Sequence, residues 1–218
     1  MNIDIKLNDH PTSEDKRQSI LDDPGFGTHF TDHMFIAKYN LEKGWHDAQI
    51  KAYEAFSVDP SMMVFHYGQA IFEGMKAYRT PENELVLSRP YDNAKRFNKS
   101  AKRMATPEID EDLFVESLKQ LVRTDAKWVP EKEGQSLYLR PFMIASEAHL
   151  GLRAANEYIF LVIASPVNPF FSSVSGASAI SIYATTEYVR AVVGGTGEAK
   201  CSGNYAASLL AKKEALEK

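Results

Sequence analysis

The sequence of 218 residues is poor in three features, each of which would indicate a particular class of protein. It has a single cysteine, Cys201, which excludes an intrachain disulfide and agrees with a reducing compartment. No apolar run approaches the roughly 20 residues that span a bilayer, and the polar start MNIDIKLNDHPTSEDKRQSI lacks a signal-peptide core. The 25 basic residues face 29 acidic ones and form no basic block. We therefore expect a cytoplasmic protein with neither a membrane nor a nucleic acid as partner.

Strand-like runs recur along most of the chain and predict a substantial sheet. The runs are MFIAKYN, AQIKAYEAF, MMVFHYG, FEGMKAYR, ELVLSRP, SLYLRPFMIAS, EYIFLVIAS and ASAISIYATT. Two helices interrupt them: PYDNAKRFNKSAKRM begins at Pro90, and TPEIDEDLFVESLKQLVRTDAKWV is predicted to begin with Thr106 as N-cap and Pro107 after it. Many strands with few helices predict an α+β fold.

Composition divides the chain into four segments. Residues 1–24 are polar and contain two prolines, so we predict an extended N-terminal arm, followed by a small α+β domain over residues 25–165. The Pro- and Ser-rich stretch within residues 166–176 predicts an interdomain linker. Residues 177–218 then begin a second domain and are too few to enclose a core. Since the helix SLLAKKEALEK carries no stop signal, we expect this second domain to be cut short.

The stretch GGTGEAKCSGNYA sets Lys200 behind three glycines. Glycines at such positions let the backbone approach a ligand closely. The phosphate-loop pattern is not met, because Gly197 stands only three residues before the lysine and Cys201 follows it. Spacing alone leaves Lys200 open between a solvated and a catalytic role. Cys201 has no base partner in the sequence, so we predict a small buried residue.

Five further residues each allow a structural and a functional interpretation. His29 and His33 are four apart, but the strand pattern around them argues against a metal site, and we predict none. Arg96 lies on the basic face of a helix, where solvation alone can account for it. Arg140 lies in an apolar strand, where a buried guanidinium needs hydrogen-bond acceptors or an anion. Tyr67 fits either a core or a site.

Four segments, taken in order, resemble the successive motifs of branched-chain amino acid aminotransferases, fold-type IV enzymes that use pyridoxal 5′-phosphate (PLP). The segments are FHYGQAIFEGMKAYR, RPYDNAKRFNKSAKRM, SLYLRPFMIASEAHLGL and GGTGEAKCSGNYAASLLAKKEA. The resemblance runs from about Gly25 to the end of the chain. It implies a small N-terminal domain with a mixed sheet and flanking helices, then the start of the large PLP-binding domain. The implied function is reversible transfer of the amino group of Leu, Ile or Val to 2-oxoglutarate.

The resemblance implies three cofactor contacts. Lys200 matches the family's Schiff-base lysine, whose amine has a reference pKa near ~10.4 and must lose its proton to attack a carbonyl. After substrate displaces it, this lysine can carry the proton from the substrate Cα. Arg96 matches the arginine that pairs with the cofactor phosphate. Tyr205 matches the tyrosine that binds the phenolic oxygen of the cofactor ring.

The resemblance also implies a substrate side. Tyr67 and Arg140 match a pair of residues that line it. Phe26, Phe72 and Tyr138 match an aromatic pocket that receives an aliphatic side chain, where burial of apolar surface drives binding. We therefore expect small-molecule substrates, namely branched-chain amino acids and 2-oxoglutarate.

The segment HLGLRAA matches a part of the family that reaches into the neighbouring subunit's active site. Its Leu150 and Leu152 therefore imply a homodimer. Full members of the family continue for well over a hundred residues more, and that part supplies the acid that faces the pyridine nitrogen. We expect the 218-residue chain alone to bind PLP poorly and to show no turnover.

Two alternatives stay open from the sequence. One keeps the fold and cofactor but changes the substrate, as in D-amino acid aminotransferase or aminodeoxychorismate lyase; FEGMKAYR and SLYLRPF favour the branched-chain group. The other is a truncated, non-catalytic dimerisation module that retains the lysine by descent. The sequence does not define a preference among Leu, Ile and Val.

Overall fold

The computed structural model describes residues 1–169 and 182–217, in which one sheet and its helices account for most of the chain. The strands are β1 (Asp4–Ile5), β2 (His33–Asn40), β3 (Gly44–Ala52), β4 (Ala70–Phe72), β5 (Met75–Arg79), β6 (Leu85–Leu87), β7 (Ser136–Ala145) and β8 (Glu157–Val167). The helices are α1 (Glu14–Asp22), α2 (Met63–Tyr67), α3 (Pro90–Arg103), α4 (Glu111–Thr124), α5 (Ser202–Ala206) and α6 (Leu209–Glu217), with a 3-10 turn at Ala126–Trp128.

The sheet is mixed and is built mainly from antiparallel pairs. Its strands follow the order β1-β3-β2-β8-β7-β5-β6, and β4 also pairs with β7. Only β1 with β3 is parallel among these pairs. Helices α3 and α4 pack against each other and against β2, β4 and β8. The predicted α+β class, with a mixed sheet and flanking helices, is confirmed.

Strand β7 carries the face on which the candidate site is built. Successive side chains of a strand point to opposite sides of its sheet. Accordingly Leu137 and Leu139 are fully buried in the core, whereas Tyr138, Arg140 and Phe142 are half-buried on the other face. The alternation in SLYLRPFMIA therefore brings a tyrosine and an arginine to one side of the sheet, outside the core.

An aromatic cluster fixes helix α3 against the sheet. The ring of Phe160 on β8 lies 5.5 Å from Phe97 on α3 and 5.7 Å from Phe35 on β2, measured between centroids. Ala94 and Ala101 bury the same face of α3, as the helical spacing predicts. Since Phe97 points inward, its neighbour Arg96 is held at the surface beside β4.

The prediction of an extended N-terminal arm is wrong in part. Strand β1 is extended and joins the sheet beside β3, but residues 14–22 form helix α1. Two acidic residues, Glu14 and Asp15, complement the positive end of that helix. Arg17 inside it is buried, and its guanidinium donates to the carbonyl of Thr12. Polar composition alone did not reveal this local helix.

The predicted start of helix α4 at Thr106 is also wrong. The helix begins after Asp110, whose carboxylate accepts the backbone N–H of Leu113 at 2.9 Å. The Thr106 hydroxyl instead donates to the carbonyl of Ala101 in α3, so Thr106 belongs to the end of the preceding helix. Thr106 and Asp110 both suit an N-cap by residue type. Thr106 is already bonded to α3, so Asp110 caps α4.

The run MMVFHYG, predicted as a strand, forms the short helix α2. Gly68 ends it in the left-handed region with φ 61°, and its N–H donates to the carbonyl of Val64. Hydrophobic runs of this length do not distinguish strand from helix, and here the glycine stop decides.

The predicted boundary between the domains falls largely outside the described residues. Strand β8 continues through Val167, two residues into the predicted linker 166–176. Residues 170–181 lie outside the described ranges, so most of the linker and the first part of 177–218 are not among them. Residues 182–186, the described part of the run ASAISIYATT, form no strand. In the two described ranges, every helix is too short or too polar to cross a membrane.

Candidate active site

The backbone of Lys200 is tied to two elements of the fold. Its N–H donates to the hydroxyl of Ser100 on α3 at 3.0 Å, and its carbonyl accepts the N–H of Phe72, the last residue of β4, at 2.9 Å. The next residue, Cys201, forms a bridge with Ile71 and is buried, as expected of a small cysteine without a base partner. Lys200 is thereby placed at the edge where α3 meets the sheet.

The glycine loop before Lys200 is held by one buried amide. Asn204 donates from Nδ2 to the carbonyls of Thr196 (2.7 Å) and Ala199 (2.8 Å), and its Oδ1 accepts the Thr196 hydroxyl at 2.7 Å. Gly197 is required by space, because a Cβ there would lie 2.5 Å from that of Ala191. The sequence GGTGEAKCSGN therefore encodes a loop that closes on its own helix α5.

Helix α5 turns Tyr205 back onto the lysine. Nζ of Lys200 lies 2.9 Å from the Tyr205 hydroxyl and 4.8 Å from the centre of the Phe72 ring. The rings of Phe72 and Tyr205 are themselves in contact, with centroids 4.7 Å apart. The amine is thus held between a phenol and an aromatic face while remaining half-exposed, where a small molecule can reach it.

Arg140 faces the same Phe72 ring from strand β7. Its Cζ lies 4.6 Å from the ring centre of Phe72 and 5.3 Å from that of Tyr138, and Nη2 donates to the Tyr138 hydroxyl at 2.9 Å. Its Nε is buried and has no hydrogen-bond partner among the described residues. Across the described part of the chain, no carboxylate forms an ion pair with Arg140. Aromatic faces stabilise its charge only in part, so the guanidinium can still take an anionic group.

Two cavities meet at Arg140. One has a volume of about 200 Å³ and is lined by residues that include Phe26 and Tyr138, whose ring centroids are 5.7 Å apart. The other, of about 540 Å³, is lined by residues that include Phe72 and Tyr205. Arg140 lines both. The fold therefore offers apolar space on either side of one cationic group.

Gly74, between β4 and β5, makes room for the tyrosine that holds Arg140. A Cβ at this position would lie 2.1 Å from the Tyr138 hydroxyl. No side chain can occupy that space unless Tyr138 moves, so the glycine of the FEGMKAYR segment has a steric role beside the site.

Arg96 meets a buried carboxylate, Glu73. Its Nε lies 2.6 Å from one Glu73 oxygen and its Nη2 lies 2.7 Å from the other. The Arg96 side chain is 54% exposed, whereas that of Glu73 is fully buried. The hydrogen bond to Glu73, together with weaker effects that include the nearby Tyr205 phenol, raises the pKa of Arg96 above its ordinary value. The arginine is permanently charged and stands next to the lysine site.

Strand β7 explains the break in strand pairing at Glu73. Phe72 pairs with Phe142. Because the strands are antiparallel, Glu73 lies opposite Pro141, which has no N–H to donate. The N–H of Glu73 still donates to the Pro141 carbonyl at 2.8 Å, but the return bond cannot form. The pairing therefore breaks after Phe72, and Glu73 lies between β4 and β5.

Other predicted residues lie apart from this group. The Tyr67 hydroxyl donates to the carbonyl of Leu150, so the hydroxyl that meets Arg140 belongs to Tyr138 instead. Leu152 is 83% exposed. His33 is buried, with Nδ1 2.6 Å from the Asp125 carboxylate. Within residues 1–169 and 182–217, no group of three or more His, Cys, Asp or Glu is arranged to hold a metal ion.

Sequence reasoning missed the residues that support the site. Glu73 and Ser100 bond Arg96 and Lys200 directly through their side chains, and Asn204 bonds the loop that precedes Lys200. A lone glutamate inside the apolar run QAIFEGMKA was the one visible signal, since a charge is rarely buried without a partner. Its partner, Arg96, is 23 residues away along the chain and could be paired with it only in the fold.

Solved structures share this fold. A branched-chain aminotransferase from Thermoproteus uzoniensis, with norvaline, superposes with a TM-score of 0.64 at 23% identity, covering 84% of this chain and 56% of that one. The T.th. branched-chain amino acid aminotransferase, complexed with N-(5′-phosphopyridoxyl)-L-glutamate, has a TM-score of 0.59 at 25% identity, covering 83% of this chain and 54% of that one. The fold is therefore that of the fold-type IV aminotransferases.

A curated relative defines the family. The probable branched-chain-amino-acid aminotransferase of Streptomyces coelicolor is 51% identical over 217 residues, which are 99% of this chain and 59% of that protein. The chain thus spans less than two thirds of the length of this relative. No protein-family model matches this chain. Over the part that it spans, the chain belongs to the branched-chain-amino-acid aminotransferase family, and the resemblance of the four motifs is confirmed.

Proposed function

We propose that the protein carrying this chain transfers the amino group of leucine, isoleucine or valine to 2-oxoglutarate, with PLP as cofactor. The observation that carries the proposal is the Lys200 amine, which lies 2.9 Å from the Tyr205 hydroxyl. Arg96, which is bonded to Glu73, and Arg140, which stacks on Phe72, lie nearby. A curated relative named for this reaction is 51% identical over nearly the whole chain. Because the chain spans 59% of that relative, the activity of the whole protein is proposed.

The residues present fit the chemical groups of PLP. The Lys200 amine suits the cofactor's aldehyde carbon, and the Tyr205 hydroxyl suits its phenolic oxygen. Arg96 has a guanidinium edge left over after its contact with Glu73, which suits the phosphate. When bound, PLP supplies an electron sink for the reaction at the substrate Cα.

Lys200 is the residue proposed to move the proton. In its neutral form the amine accepts the proton from the substrate Cα. It then delivers this proton to the aldehyde carbon of the cofactor. The Tyr205 hydroxyl and the Phe72 ring fix Nζ on one side, which limits the positions from which it can reach that carbon. Asn204 contributes by holding the loop from which the lysine projects.

Arg140 and the aromatic cavity are proposed to bind the two substrates in turn. The guanidinium stacks on the Phe72 ring and donates to the Tyr138 hydroxyl, and it provides the charge that the second carboxylate of glutamate or 2-oxoglutarate requires. The cavity beside Phe26 and Tyr138 provides apolar surface for an aliphatic side chain. An arginine that stacks on rings can accommodate both kinds of side chain.

We further propose a homodimer, in which Leu150 and Leu152 reach the partner's site. Both side chains are exposed in the described chain, at 63% and 83%. Sedimentation analysis of the wild-type protein and of Leu152→Glu tests this, because a buried contact would not tolerate a charge. The cytoplasmic location expected from the sequence is likewise a proposal.

The decisive experiment is to locate the cofactor. The purified full-length protein that carries this chain is mixed with PLP and scanned for the visible absorbance band of a lysine adduct. It is then reduced with borohydride and mapped by mass. We expect the added mass on Lys200, and neither band nor mass in Lys200→Ala. The matched control is Lys212→Ala on the exposed part of α6, which should retain both.

Substrate preference separates the proposal from its rivals. We expect formation of glutamate from leucine and 2-oxoglutarate by the cofactor-loaded protein. Turnover of D-alanine without turnover of leucine would assign the site to a D-amino acid aminotransferase. Absence of any lysine adduct, in this chain and in the longer protein, would favour a non-catalytic module.

A further inference from the structure

We propose that Glu73 is a positioning residue that orients Arg96 for the phosphate of the cofactor. This inference rests on the proposed function, since it assumes that Arg96 contacts PLP. Glu73 itself is buried and acts through the guanidinium that it holds. Glu73 would thereby help the chain to select a phosphorylated ligand.

The hydrogen bonds determine which edge of Arg96 is available. A guanidinium has five N–H donors, and Glu73 takes one from Nε and one from Nη2. The Nη1–Nη2 edge, with its two parallel donors, then points away from Glu73. That edge has the fork geometry that binds a phosphate through two oxygens. The carboxylate therefore leaves one specific edge open.

Glu73 is itself fixed more firmly than the arginine. Besides Arg96, its carboxylate accepts Nδ2 of Asn93 at 2.9 Å and the backbone N–H of Gly74 at 3.2 Å. Its side chain is fully buried, whereas the Arg96 side chain is 54% exposed. A free arginine with that exposure would sample many rotamers, and ordering it on the ligand would weaken binding. Glu73 orders the arginine before the ligand arrives.

Both ends of the cofactor site share one stretch of backbone. The N–H of Phe72 donates to the carbonyl of Lys200, and the adjacent Glu73 holds Arg96. The lysine and the arginine are thus positioned from two consecutive residues at the break in the β4 ladder. A ligand that needs an amine at one end and a cation at the other therefore finds both at a fixed separation.

Charge alone predicts the opposite effect from positioning. A carboxylate beside the phosphate site repels an anion, so a purely electrostatic role means that neutralising Glu73 strengthens phosphate binding. A positioning role means that the same change weakens it. The sign of the effect of Glu73→Gln therefore distinguishes the two.

The test compares ligands that differ only in the phosphate. Dissociation constants for PLP and for pyridoxal are measured by titration of the purified full-length protein that carries this chain. The wild type and Glu73→Gln are compared, and both are checked for folding by circular dichroism. We expect PLP to bind about tenfold more weakly to Glu73→Gln, with pyridoxal unchanged within about twofold. Equal or tighter binding of PLP would overturn the proposal, as would a parallel loss for both ligands.

Three further variants strengthen the test. Glu131→Gln makes the same charge change in an 82% exposed side chain and should leave both constants unchanged. In an Arg96→Gln background, Glu73→Gln should have no further effect on PLP, because the residue through which it acts is gone. If Glu73→Gln does not fold, Glu73→Asp keeps the charge but withdraws the carboxylate. It should then show the same selective loss of PLP, and unchanged PLP binding by it would overturn the proposal.

The two possible failures are distinguishable. A wild-type protein that binds neither PLP nor pyridoxal at Lys200 contradicts the proposed function, and the role of Glu73 falls with it. A wild-type protein that binds PLP on Lys200, with Glu73→Gln binding it equally well, contradicts only the role of Glu73.

Discussion

Two regions of the molecule bring an arginine close to Lys200. One is the junction of α3 with β4, which carries Arg96, and the other is the outer face of β7, which carries Arg140. At the junction, a buried carboxylate takes two donors of the guanidinium. On the face of β7, the guanidinium meets the rings of Phe72 and Tyr138 and donates to the hydroxyl of the same tyrosine. The same residue type is thus placed once against a full negative charge and once, as far as residues 1–169 and 182–217 go, without a carboxylate partner.

The difference separates a role in the fold from a role in binding. Glu73 is buried and needs Arg96, so this arginine contributes to stability as well as to a site. Among the described residues, no buried carboxylate pairs with Arg140, so its charge is available to a ligand. Substitution of the two arginines should consequently have effects of different kinds.

The largest effect is expected from Arg96→Ala, which leaves the Glu73 carboxylate buried without its main partner. Removal of one member of a buried pair costs roughly 3–5 kcal/mol, and the exposed outer half of Arg96 reduces this to about 2 kcal/mol. The free energy of unfolding, measured by urea denaturation, should fall by that amount. The loss should be seen with no ligand present.

The control is the double variant Arg96→Ala, Glu73→Gln. A neutral amide is far less costly to bury than a carboxylate, so this variant should recover part of the lost stability. Identical stability of the wild type and Arg96→Ala would mean that Glu73 does not depend on the arginine, and the contrast between the two regions would disappear.

A smaller change in stability and a larger change in affinity are expected from Arg140→Ala. The unfolding free energy should change by less than about 1 kcal/mol, since no charge loses its partner. Loss of a charge-assisted hydrogen bond of about 1.5 kcal/mol should raise the KM for 2-oxoglutarate roughly tenfold. The readout is steady-state transamination by the cofactor-loaded protein.

Leucine provides the internal control for Arg140. Because its side chain is apolar, the KM for leucine should change much less than that for 2-oxoglutarate. Equal increases for both substrates would mean that Arg140 only maintains the cavity. A marked loss of stability in the unliganded variant would place Arg140 in the same class as Arg96.

The sequence alone indicates that Arg140 is unusual, but it does not distinguish Arg96. Arg140 interrupts an apolar, alternating strand, so its unusual setting is visible in SLYLRPF. Arg96 lies among several basic residues on α3, where nothing local distinguishes it. Its partner Glu73 is 23 residues away along the chain, and only the fold brings the two together. Local pattern identifies an unusual residue, whereas pairing depends on tertiary contact.

The fold shows the same limit. Long strands such as β7 and β8 and the periodic helix α3 were predicted correctly, because many residues repeat one pattern. The short elements α1 and α2 were predicted wrongly, because single residues mark them: the buried Arg17 in α1 and the left-handed Gly68 after α2. The contacts that fix the loop before Lys200 likewise come from single side chains, such as Asn204.

The smallest effect is expected at a third arginine, Arg153, whose partner Glu147 lies near the surface. The hydrogen bond from Arg153 lowers the pKa of Glu147 below its ordinary value of 4.5. Its contribution to stability is therefore complete above that value and is lost as the pH falls through the lowered pKa of the folded carboxyl. The unfolding free energies of the wild type and Arg153→Ala, measured by urea denaturation, should differ slightly at pH 7 and converge in acid. A loss as large as that of Arg96→Ala, or one that persists in acid, would show that burial of the carboxylate does not decide how much an arginine contributes.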